Sequence, residues 1–165
     1  MTNILIPTDF TPASIKMAEQ ALQVLELRTV NIVFFHAFEL PPSEFELLDP
    51  SRPKPYANVL NDSFRQGCKQ LKEQNPEAIQ KVCFKFLEGN SAPLFRNFID
   101  ANEIDIIFYP PHYKFVPINK RSADPLPLFK KSGIKVINEL TVPRVERVAE
   151  PVSILAPTPI LMTAS

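Results

Sequence analysis

The sequence predicts one α/β domain: a mainly parallel sheet with right-handed crossovers and helices on both faces. Three observations lead there. Apolar runs of strand length alternate with segments of helical period from about residue 3 to residue 140. The first run, Ile4-Leu5-Ile6, is apolar at every position, so it needs cover on both faces, as parallel strands have. The chain has 165 residues, enough for one buried core.

Asn3–Pro7 reads as the first strand. Thr11 suits a helix N-cap and Pro12 the first helical position. Ile15, Ala18, Leu22 and Leu25 then form one apolar stripe. Thr29–Phe35 is the second strand, ending at His36. Pro41–Pro55 is a loop, because its five prolines fit neither a helix nor a central strand. A helix from about Tyr56 places Leu60, Phe64, Cys68 and Leu71 on one face, and Asn75-Pro76 stops it.

Val82–Leu87 alternates as a half-buried strand and Gly89 closes it. Ser91 caps a helix whose inner face is Leu94, Phe95, Phe98 and Ile99. Asp105–Tyr109 is the fourth strand, and Pro110–Ala123 a loop carrying Lys114, Lys120 and Arg121. Asp124-Pro125 starts a short helix that Gly133 ends at C′, and Ile134–Ile137 is the fifth strand. The domain therefore spans residues 1–140. Residues 141–165 form a Pro-rich extension with apolar runs at Val152–Leu155 and Ile160–Met162.

Composition excludes several classes. Lys+Arg and Asp+Glu are both 18, so no global field steers the chain to nucleic acid or an anionic membrane. No run approaches the roughly 18 apolar residues of a membrane span. The start lacks the basic residues and long apolar stretch of a secretion signal. The 2 cysteines, Cys68 and Cys83, have no metal-ligand spacing, which suits a reduced cytoplasmic protein. No nucleophile stands in readable relation to a His and a carboxylate, so no catalytic residue and no metal site is expected.

Five segments resemble the universal stress proteins, in the right order: Asn3–Thr11, Phe34-Phe35-His36-Ala37, Leu87-Glu88-Gly89-Asn90, Asp105–Phe108 and Lys135-Val136-Ile137. The resemblance covers about residues 3–140. It implies an adenine nucleotide alpha hydrolase-like sheet of five strands in the order 3-2-1-4-5, a role in stress response and a homodimer. One branch of that family binds ATP through G-x2-G-x9-G-[S/T] after its fourth strand. Here the three glycines align near Pro110, Tyr113 and Ser122, and none is Gly.

Physical chemistry points the same way. A phosphate nest turns successive backbone N–H groups inward, and Pro110 and Pro111 have none to offer. The resemblance thus implies the branch without nucleotide, with no cofactor, no enzymatic activity and a role through protein contacts. The open edge of the last strand and the apolar runs of the extension are where the homodimer is expected to form. The alternative is an ATP binder with a degenerate phosphate loop. Its contacts would be Asp9, Ala37 and Ser122, with Lys114, Lys120 or Arg121 supplying charge in place of glycines. Against this, Asp9 is also an ordinary turn residue, and His36 an ordinary imidazole bonded to a neighbouring loop.

Overall fold

Ile4-Leu5-Ile6 lies at the centre of the sheet. In the computed structural model, which describes residues 1–139 apart from 27, 28, 42, 53, 54 and 56–58, β1 (Thr2–Pro7) pairs in parallel with β2 (Val30–Phe38) on one side and β4 (Ile106–Phe108) on the other. β3 (Ile79–Glu88) pairs with β2, and β6 (Lys135–Ile137) with β4, both in parallel. The order is β3-β2-β1-β4-β6, as expected, with the expected fifth strand now numbered sixth.

The extra strand is β5 (Ser122–Ala123), antiparallel to β2. Its cause is a difference in length. β1 stops at Pro7, opposite Phe35, while β2 runs on through His36 to Phe38 because β3 continues beside it. The exposed edge of Ala37 and Phe38 is taken up by Ala123 and Ser122. The second strand thus does not end at His36, and the segment 110–123 is not all loop.

Period-two alternation divides the core. One face carries Ile4, Ile6, Ile32, Phe34 and Phe108, covered by α1 (Pro12–Leu25) and α3 (Asp62–Gln74). The other carries Leu5, Val33, Phe35 and Ile107, covered by α4 (Ala92–Ala101) and α5 (Leu126–Lys130). Right-handed crossovers from a central first strand give this arrangement.

Several boundaries differ from expectation. α3 starts at Asp62, not Tyr56, because the Asn61 side chain accepts the Phe64 N–H at 2.7 Å and caps it there. The segment 41–55 holds a short helix, α2 (Glu44–Leu48). Gly133 has φ 82 but lies beyond the C′ position, since α5 ends at Lys130 with Lys131 as its C-cap. Cys68 is packed on the α3 face, where burial pushes its thiol up to about 12. Residues 141–165, and with them the expected Pro-rich extension, lie outside the described residues.

Candidate functional site

In an open α/β sheet, ligands bind beyond the carboxyl ends of the strands, where the order reverses. Here that place lies beside β1, between β2 and β4. Its first component is the turn after β1. Asp9 Oδ1 accepts from the Thr11 N–H at 3.1 Å, the Thr11 hydroxyl at 2.5 Å and the Ser14 hydroxyl at 3.1 Å. Thr11 is the N-cap residue of α1, yet its hydroxyl serves Asp9 instead of the helix. Asp9 thus organises the entry to α1.

Between them sits Phe10 at φ 62, a left-handed conformation that costs a residue with a Cβ roughly 1–2 kcal/mol. Burial offsets that cost. The Phe10 ring packs against Phe64, Phe86 and His36 at centroid distances of 5.5, 5.7 and 5.8 Å. Its N–H donates to Thr8 Oγ1 at 2.9 Å.

His36 and Ser122 form the second component. His36 is buried, with Nδ1 at 2.7 Å from the Thr8 carbonyl and Nε2 at 2.8 Å from Ser122 Oγ. A carbonyl can only accept, so Nδ1 carries the proton and Nε2 accepts from the Ser122 hydroxyl. Ser122 Oγ in turn accepts the N–H groups of Ile118 at 2.9 Å and Asn119 at 3.3 Å. A hydroxyl that donates once and accepts twice has no lone pair left for attack. The His–Ser pair has the spacing of a general base and its nucleophile, but it works as a latch that closes the segment 118–122 onto β2.

Burial lowers the His36 pKa, more than the Thr8 carbonyl and the Asp9 charge raise it. A histidine held neutral when folded, but free to protonate when unfolded, binds fewer protons in the native state. Its contribution to stability is complete above the unfolded value, near 6.5. It is lost as the pH falls from there through the lowered folded value. Urea unfolding between pH 8 and pH 5 should show a steeper loss for the wild type than for His36→Asn, whose amide can still donate to Thr8. Equal slopes would show that His36 is not the group responsible.

The loop after β4 supplies the third component. The Tyr113 N–H closes a turn onto the Pro110 carbonyl at 3.0 Å, and the Tyr113 ring packs against both halves of the core. Burial, and then the charges of Asp124 and Asp9, raise its phenol pKa. Where a glycine would leave room, Tyr113 fills space.

Arg121 is committed elsewhere. Its guanidinium donates to the Glu39 carbonyl and lies 3.3 Å from Glu88, which Arg52 also meets at 2.8 Å. Lys114 instead lines a cavity of about 280 Å³ beside α1, with Asp9, Ala13, Lys16, Met17, Gln20, Pro110, His112, Tyr113 and Val116.

The residues singled out from sequence are therefore divided. Asp9 borders the cavity. Ala37 is 1% exposed and pairs with Ala123, and Ser122 is held on His36. Sequence reasoning missed Lys16 and Met17, although Ala13, Lys16, Met17 and Gln20 follow i, i+3, i+4, i+7 spacing, a second stripe on α1 beside the core stripe. It also missed the Arg52–Glu88–Arg121 cluster, which joins three segments distant in sequence. Among the described residues, no group of His, Cys, Asp and Glu could hold a metal ion, and no helix is long and apolar enough to cross a membrane.

Neither a family model nor a curated protein matches the chain. Solved structures do. One is a hypothetical protein, PH0823, at 15% identity and a TM-score of 0.48, covering 84% of this chain and 95% of that one. Another is a universal stress protein in complex with cAMP, at 11% identity and a TM-score of 0.42, covering 83% and 95%. The solved structures similar to this chain thus include a member of the family that its sequence motifs resemble.

Proposed function

We propose that this chain is a non-enzymatic domain of the universal-stress-protein type that acts in stress response, in the cytoplasm, as a homodimer making contacts with other proteins. One observation supports the reading: β5 and the Ser122 bonds fill positions, Ala37 and Ser122, that the resemblance assigns to a nucleotide. β5 pairs with β2 at Ala37 and Phe38, and the Ser122 hydroxyl is spent on His36 and two backbone N–H groups. Pro110 and Pro111 add no N–H groups, and Arg121 is turned toward Glu88.

For the dimer, β6 is the natural surface. Among the described residues it pairs with β4 alone, and it holds one charge, Lys135, beside Val136 and Ile137. An edge of that kind invites a second strand across a two-fold axis.

Native mass spectrometry of the full chain with added ATP tests both halves of this reading. The expected spectrum is a dimer without nucleotide adducts. An adduct with micromolar affinity would favour the degenerate nucleotide site instead, and Asp9→Ala should then abolish it. A monomer at every concentration would remove the dimer.

A further inference from the structure

α2 holds two large apolar side chains in water: Phe45 is 92% exposed and Leu48 78%. Acidic residues adjoin them, Glu44 before Phe45 and Asp49 after Leu48. Among the described residues no large apolar side chain is more exposed than Phe45. Apolar groups displayed together on a short helix mark a contact surface.

The chain also has a hole of opposite character. The 280 Å³ cavity beside α1 has apolar walls from Ala13, Met17, Pro110 and Val116, with Lys16 and Lys114 also lining it. Both lysines are exposed, and Val116 is 49% exposed. The remaining charge in the lining is Asp9, whose Oδ1 already accepts three hydrogen bonds, while His112 adds a further polar ring.

We propose that Phe45 of one copy seats in this cavity on a second copy of the chain, with Glu44 and Asp49 against Lys16 and Lys114. The inference rests on the reading of this chain as one that works through protein contacts, but it uses a surface separate from β6. Charge complementarity selects the occupant: the knob is acidic and the hole basic. A formal net charge of zero sets no global repulsion against a second copy. An aromatic side chain in a pocket ringed by complementary charge is the usual form of an interface anchor. A two-fold axis would make the contact twice and close the pair.

Sedimentation velocity of the full chain over a range of concentrations tests it. The first four proteins are wild type, Phe45→Asp, the pair Lys16→Glu with Lys114→Glu, and that pair combined with Glu44→Lys and Asp49→Lys. All five substituted side chains are exposed, so folding should survive, as circular dichroism can verify. Phe45→Asp and the lysine reversal should each weaken self-association about tenfold or more. The full charge swap should recover most of the loss. A wild type that stays monomeric, a Phe45→Asp variant with unchanged association, or a swap that restores nothing would each overturn the proposal. Val136→Pro separates the two surfaces. A dimer that survives Phe45→Asp and is lost with Val136→Pro belongs to β6 and overturns the α2 contact, and the reverse pattern supports it.

Discussion

Phe35→Ala should cost about 4 kcal/mol of folding stability, within the roughly 3–5 kcal/mol seen for buried aromatic truncations. Phe35 is fully buried on the α4–α5 side of the sheet. Its ring lies 5.0 Å from Phe98, 5.5 Å from Phe95 and 6.3 Å from Phe129. Those partners lean on each other as well, with Phe95 5.8 Å from Phe129 and Phe129 5.7 Å from Tyr109. Large rings locked together collapse poorly into a vacancy, so most of the lost volume stays as a cavity. A domain of this size loses about 2–4 °C in melting temperature per kcal/mol, so the midpoint should fall by about 10 °C. Phe35→Leu keeps more of the volume and should lose less than half as much. Urea unfolding that shows less than about 1.5 kcal/mol for the alanine variant would mean this cluster is not packed as described.

Gly89→Ala should lose about 2–3 kcal/mol for a different reason. Gly89 has φ 118, outside even the left-handed region where Asn and Asp are found. A Cβ there would also lie 2.4 Å from Leu94 Cδ2. The methyl group is the end of a mobile side chain and can rotate away, so the backbone carries most of the cost. The residue is pinned: its N–H donates to the Phe38 carbonyl at 2.6 Å, and Ser91 caps α4 two residues later. The double variant Gly89→Ala with Leu94→Ala separates the two causes. Relief of the contact without recovery of stability identifies φ as the cause, whereas full recovery would assign the loss to the clash.

The parts legible in the sequence were those with a period. Ile4-Leu5-Ile6, the alternation through Val82–Leu87 and the stripe of Phe64, Cys68 and Leu71 each state their face locally. β5 has only two residues, Ser122 and Ala123, with no pattern, and its reason for existing is the unequal length of β1 and β2. α2 was hidden among prolines that flank it without entering it. The start of α3 was misplaced because Leu60 fits the helical period, although Asn61-Asp62 holds the cap signal. At the candidate site, Asp9 and His36 were visible as polar residues after apolar strand runs, although β2 continues past His36 to Phe38. The left-handed Phe10 was not, because aromatic residues seldom adopt that conformation. Nor was the Arg52–Glu88–Arg121 cluster, which no local rule connects.

The pairing of β5 with β2 also sets a toll on entry. A small molecule needing Ala37 must first peel Ser122–Ala123 off the sheet, together with the Glu39 N–H bond to the Arg121 carbonyl at 2.7 Å and the His36–Ser122 bond. The receptive form is then a minority state, and apparent affinity falls in proportion to its population. Every 1.4 kcal/mol or so spent on opening divides the affinity by ten. If opening costs about 4 kcal/mol, a site that would bind at micromolar concentration binds near millimolar. The same closure keeps casual ligands away from the Ala37 side of the sheet's carboxyl end.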